Sequence, residues 1–262
     1  VFDEILAKAP LFLMLAVRAL AMIETAPLIS SDSNPQVAKV ALAGFTAFSA
    51  LPSVPASFIT PDMYTLSFAF MLVGEAIIGI ILGFYLTIIY SAFSAAGQFF
   101  SLQMGFGASE TFDPLAQIEN PLLGQFLNLI AMLVFLTVDG FQKLFLGGFF
   151  RSLQSLSVAS LIKGREHVLK ILVGGFSSLF LDALVLSMPI LGTLFLISLA
   201  MGLLSKAAPQ MNLLTEGFPI SITVAYVLIL ATLPFLVEAF SRIIDAGFGQ
   251  IEQMFVLLKG GT

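Results

Sequence analysis

The run Thr65–Leu102, TLSFAFMLVGEAIIGIILGFYLTIIYSAFSAAGQFFSL, carries a single charge, Glu75. About 20 apolar residues are enough to cross a bilayer as a helix, and this run is far longer. It predicts either one long tilted helix or a helix that breaks near Gly97. Gly79 and Gly83 form a small-xxx-small pair, the spacing that lets two helices approach closely. Glu75 lies four residues before Gly79, so the periodicity puts it on the same packed face. A carboxylate buried there needs a donor or keeps its proton.

Directly downstream lies Ser101–Pro121, SLQMGFGASETFDPLAQIENP, whose composition is wrong for an ordinary polar loop. Met104, Phe106 and Phe112 give it apolar bulk. Gly105 and Gly107 permit positive φ and close backbone approach, while Pro114 and Pro121 fix φ and remove amide donors. Loops of this length are uncommon unless functional. At membrane depth, irregular backbone survives only against protein or a water-filled cavity. The stretch is therefore expected to lie inside a pore or cavity.

Upstream, Val37–Phe58 predicts an Ala- and Phe-rich helix ending near Leu51, before Pro52 and Pro55. Ser30–Pro35 is a turn cluster. The first apolar run, Ile5–Ile29, holds Arg18 and Glu24 deep within it. Six residues apart, they do not share adjacent positions on a helix face, so each is expected to have its own partner. No Lys/Arg-rich leader or A-x-A site marks this run, and it is not read as a cleaved signal peptide.

Beyond the loop, Leu122–Phe150 is apolar, interrupted at Asp139-Gly140 and again at Gly147-Gly148. Arg151, Lys163, Arg165, Glu166, His167 and Lys170 make the most polar stretch, which the positive-inside rule places in the cytoplasm. Val168–Leu204 is the next long run, with Asp182 and Pro189 inside it; the proline is expected to kink or divide the segment. Lys206–Asn212 ends that run, and Leu213–Val237 follows. Ala239–Leu258 mixes Arg242, Asp245 and Glu252 with Ile244, Phe248 and Ile251 at spacings of three and four, the pattern of an amphipathic helix.

Composition supports a membrane-type chain. Of 262 residues, 58% are hydrophobic and 10% charged, with a mean hydropathy of +1.04. Soluble domains carry about 25% charged residues. The net charge of −5 argues against nucleic acid as a partner. The chain has no Cys and one His, so thiolate chemistry and His-based metal clusters are excluded, and no cofactor is expected. There are 27 Phe and no Trp, a bias that suits helices packed on protein at least as well as helices in lipid. No P-loop, GxSxG, HExxH or paired-carboxylate site is present, so no enzyme activity is expected. The fold class expected is all-α, built of polytopic membrane-type helical hairpins.

Three stretches together resemble the FliR family of flagellar export-gate proteins, whose counterpart in virulence-type secretion is SctT. Leu102–Pro114, LQMGFGASETFDP, is similar to the family's LQMG…FxDP segment. Gly202–Asn212, GLLSKAAPQMN, resembles GLLxRxAPQxN, with Lys206 where Arg is common. Glu216–Ile220, EGFPI, is similar to the xGFPxx helix start. The resemblance implies a core subunit of a helical hetero-oligomer with P- and Q-type subunits of the FliP and FliQ families and the FlhB family switch protein. It implies a place in the bacterial inner membrane at the flagellar basal body, where unfolded export substrates pass. Residues 1–170 would correspond to a P-like part and 171–262 to a Q-like helical hairpin. The loop 101–121 would be the plug of the closed pore.

On that reading Met104, Phe106 and Phe112 seal the pore as a hydrophobic constriction. Gln103 and Pro114 belong to the same loop, Gly105 and Gly107 let it swing aside, and Glu110, Asp113 and Glu119 hold it shut through bonds to neighbouring backbone or helix starts. Arg18, Glu75, Asp182 and Lys206 are expected in buried charge pairs or subunit contacts. Pro209, Gly217 and Pro219 are expected to shape the hairpin bend. The competing reading is a secondary transporter, with an intramembrane acidic site at Glu75 or Asp182.

Overall fold

The computed structural model describes residues 2–30, 34–55, 58, 60–105, 122–207 and 213–260. Among these the regular structure is entirely helical. In chain order the helices are α1 (Phe2–Thr25), α2 (Gln36–Ala50), α3 (Leu66–Met104), α4 (Leu122–Thr137), α5 (Val158–Lys163), α6 (Arg165–Ala207) and α7 (Leu213–Gly260). A composite helical segment lies between α4 and α5: Gly140–Gln142, a π-helix over Lys143–Phe150, and Arg151–Ser155.

Local chemistry accounts for the stops. α2 ends at Ala50 in a short 3-10 turn, Leu51–Ser53, with Pro52 at its start. α3 ends at Met104, where Gly105 takes the left-handed conformation (φ 89°) that glycine adopts without steric cost. Asp139 interrupts the chain after α4, also left-handed at φ 55°. α5 opens with a reciprocal capping box between Ser157 and Ser160.

The chain divides into two compact units by contact. One comprises Val1–Ile89, Asp139–Phe176 and Ile244–Thr262. Its core joins Met14, Met22 and Ile23 to Ile78, Leu82 and Phe149, each at most 1% exposed. Here α1 and α2 are tied by Lys39, which donates to Glu24 Oε2 (3.2 Å) and to the Ser30 carbonyl (3.0 Å). Surface ion pairs link the composite segment to α7: Lys143 Nζ to Asp245 Oδ1 at 2.6 Å, and Arg151 to Glu252. The other unit comprises Tyr90–Val138 and Ser177–Ile243. It centres on an aromatic cluster in which Tyr90 meets Phe93 and Phe135 edge-on, both at 5.8 Å between ring centroids, and Phe93 meets Phe240 at 4.3 Å. The two 5.8 Å edge-on pairs are at separations where ring quadrupoles attract.

Of the two readings of α3, the structure bears out one long helix: it does not break at Gly97, where α4 crosses it and a Cβ would fall 2.4 Å from Gly124 Cα. Pro189 does not divide α6, and Pro219 and Pro234 lie within α7. The amphipathic stretch Ala239–Leu258 is accordingly the second half of α7 rather than a separate helix.

Among the described residues three helices are long and apolar enough to cross a membrane, α3, α6, and Pro219–Leu258 of α7, and Leu123–Thr137 with Gly140–Ser155, bent by 75°, makes a fourth if the pair is one span. The most apolar window is 56% buried in α3, but only 28% in α6 and 22% in α7. Phe180, Phe195 and Phe235 are among the large side chains left exposed on the latter two. Among the described residues nothing covers these faces.

Candidate functional site

The most constructed polar feature is a fully buried charge cluster formed by α1, α3 and the composite segment. Arg18 is 0% exposed and Glu75 1%. Arg18 Nε donates to Glu75 Oε2 at 2.5 Å, Nη1 to Ser152 Oγ at 3.1 Å and Nη2 to the Leu156 carbonyl at 3.2 Å. Ser152 in turn donates to the Phe149 carbonyl at 2.6 Å. A guanidinium has five N–H groups in a fixed fork, and here α3, the composite segment and Leu156 just beyond it supply its acceptors.

Glycines on α3 permit this geometry. A Cβ at Gly79 would come within 2.2 Å of the Arg18 carbonyl oxygen, and one at Gly83 within 2.0 Å of Thr25 Oγ1. The small-xxx-small face thus lies against the α1 backbone, and Glu75, one turn earlier, comes level with the Arg18 side chain. Thr87 Oγ1 closes the contact by donating to the Thr25 carbonyl at 2.7 Å. Gly74 does the same toward α5, where a Cβ would be 2.5 Å from Val158 Cγ1. The cluster is a clamp between helices. It offers neither a nucleophile with a base nor an open face for a substrate.

The other sequence-selected residues lie apart from the clamp. Asp182 is partly buried on α6 and Lys206 is exposed near its end; neither makes an ion pair among the described residues. Arg18 and Glu75 were expected in buried charge pairs or subunit contacts, and they pair with each other within the chain. Ser101–Met104 prove to be the last turn of α3, so the loop starts at Gly105, later than the expected Ser101. Gln103 is half-buried and Met104 fully buried, a root anchored in the helical core. Phe106, Gly107, Glu110, Phe112, Asp113, Pro114 and Pro209 lie outside the described residues. Gly217 and Pro219 sit in the first turns of α7, with Met201 Cε of α6 being 3.9 Å from a Cβ at Gly217.

Sequence reasoning missed Ser152 and the Leu156 carbonyl as partners of Arg18, and Lys39 as the partner of Glu24. A serine in an apolar run is too common to stand out, and a backbone carbonyl leaves no mark in a sequence. Lys39 carried a weak signal, as a lone cation early in an apolar helix.

The chain matches the family of bacterial export proteins, family 1, over residues 9–247. It is 34% identical over 230 residues to the flagellar biosynthetic protein FliR of Escherichia coli (strain K12), covering 83% of this chain and 82% of that protein. It is 30% identical over 233 residues to the protein of the same name from Bacillus subtilis (strain 168), covering 87% and 88%. The FliR of Borreliella burgdorferi matches at 33% over 195 residues, covering 74% and 72%. With a family match spanning most of its length, and relatives at this identity aligned over most of theirs, the chain belongs to the FliR family of bacterial export proteins.

Proposed function

We propose that the chain is a core subunit of the flagellar type III protein export gate, a structural part of the pore rather than an enzyme. The observation that carries this reading is the family match over residues 9–247, with relatives that are named flagellar biosynthetic proteins. On this reading residues 1–170 act as the P-like part and 171–262 as the Q-like hairpin. P- and Q-type subunits and the FlhB-type switch protein are the partners, in the inner membrane at the basal body, and unfolded export substrates pass through. The weakly buried apolar faces of α6 and α7 are consistent with it, since such helices need cover from neighbouring subunits or lipid.

The loop after α3 is the seal. Gly105 turns the chain out of a helix whose last residue, Met104, is buried, so the loop has a fixed root. From that root Phe106 and Phe112 exclude water and ions as a hydrophobic constriction. Glu110, Asp113 and Glu119 hold the loop through bonds to neighbouring backbone. The Arg18–Glu75 clamp keeps the N-terminal end of α3 in place. Deleting Gly105-Phe106-Gly107 tests the idea: the reconstituted gate should still assemble but conduct ions at rest. Unchanged resting conductance would rule out the plug.

A further inference from the structure

The composite segment carries one more residue than an α-helix would need. Its two ion pairs to α7 start from Lys143 and Arg151, eight positions apart, and end on Asp245 and Glu252, seven positions apart. Two turns of α-helix hold about 7.2 residues, which suits the seven positions on α7. Eight positions in an ordinary α-helix would overshoot two turns and carry Arg151 round to another face. The π-helix over Lys143–Phe150 removes the conflict. One i→i+5 widening absorbs a single residue, so two turns there hold about 8.2 residues, and both cations return to the face of α7.

The glycines inside this segment have no packing role. A Cβ at Gly147 would meet nothing within 4 Å, and the nearest atom to one at Gly148 is Leu144 Cδ1 at 3.9 Å. Neither glycine has positive φ. What remains is their effect on helix strength, which they lower. The two ends are held unequally. Next to Arg151, Ser152 is fully buried and bonded to Arg18, and the Leu156 carbonyl takes a second Arg18 donor. At the other end, Lys143 follows the left-handed Asp139 and is held to α7 by a half-exposed ion pair.

We propose that residues 143–150 are a conformational joint: a one-residue π insertion, kept in register with α7 by two surface ion pairs, that relaxes to an α-helix when the Lys143–Asp245 pair opens. The Arg151 end stays fixed. The surplus residue passes to the turn at Asp139, and Lys143 rotates by about 100°, one residue's step of an α-helix. This holds whatever the gate does with its loop.

The test uses this chain, whose 262 residues include no cysteine, with cysteine pairs introduced as K143C/D245C or R151C/E252C. Deleting Gly147 removes the surplus residue. Both pairs should then cross-link to completion, whereas without the deletion K143C/D245C should cross-link several-fold more slowly than R151C/E252C. If the deletion abolishes the Lys143–Asp245 cross-link and spares the other, the segment holds no surplus residue and the proposal is wrong. Should the deleted chain fail to fold, hydrogen exchange on the unaltered protein decides. Amides of 143–150 should exchange at least tenfold faster than those of α4, and faster still in high salt, which screens exposed pairs. Equal protection with no salt dependence would overturn the joint.

Discussion

Glu75→Gln is the sharpest perturbation of the clamp, because it removes one charge and almost no volume. Arg18 stays 0% exposed, with Ser152 Oγ and the Leu156 carbonyl as its acceptors, but its positive charge loses the Glu75 carboxylate paired with it. Removing one partner of a buried pair costs about 3–5 kcal/mol, since the survivor is left buried and uncompensated. That is on the order of 10²–10⁴-fold in the folding equilibrium, and a large share of the ~5–15 kcal/mol by which a domain is stable. At roughly 2–4 °C per kcal/mol for a chain of this size, the melting temperature should fall by about 6–20 °C. The assay is thermal unfolding of the detergent-purified chain followed by size-exclusion chromatography. The double variant R18M/E75L removes both charges and keeps apolar bulk, and should recover most of the loss. A fall of less than about 2 °C for Glu75→Gln, or a double variant as unstable as the single one, would refute the clamp.

Gly79→Ala puts a methyl group 2.2 Å from the Arg18 carbonyl oxygen and should cost about 1–3 kcal/mol by forcing α1 and α3 apart, while Gly192→Ala on α6, where the added carbon meets nothing within 4 Å, should be neutral or mildly stabilising in the same melting assay. Gly105→Ala imposes a left-handed conformation (φ 89°) on a residue with a Cβ and should cost about 1–2 kcal/mol in melting, with Gly105→Asn costing less.

The sequence exposed the long helices because length and hydropathy are local properties. It also put Glu75 and Gly79 on one face, since a four-residue spacing is read directly from the helix period. Arg18 stood out as a charge deep in its own apolar run, but its pairing with Glu75, 57 positions away, was out of reach, since no spacing links the two. A break at Gly97 stood beside one long helix as an alternative because glycine weakens a helix, yet close approach to Gly124 was the stronger requirement. Pro189 was read as a kink or a division of its run. In long apolar helices the rest of the backbone ladder holds the helix together across the missing donor. Met104 was assigned to the loop, whereas its apolar side chain extends α3 by burying in the core. The π-helix had no visible signature, because the surplus residue exists only relative to the seven-residue spacing on α7, about a hundred positions away.

The central claim is membership of a working export gate, and the most direct test is the mass of the assembly. The chain would be tagged, co-expressed with its P- and Q-type subunits, purified by that tag and weighed intact by native mass spectrometry. One copy of this chain bound to several P- and Q-type subunits is the predicted result. A chain that purifies alone, as a monomer or a symmetric dimer, would contradict the account.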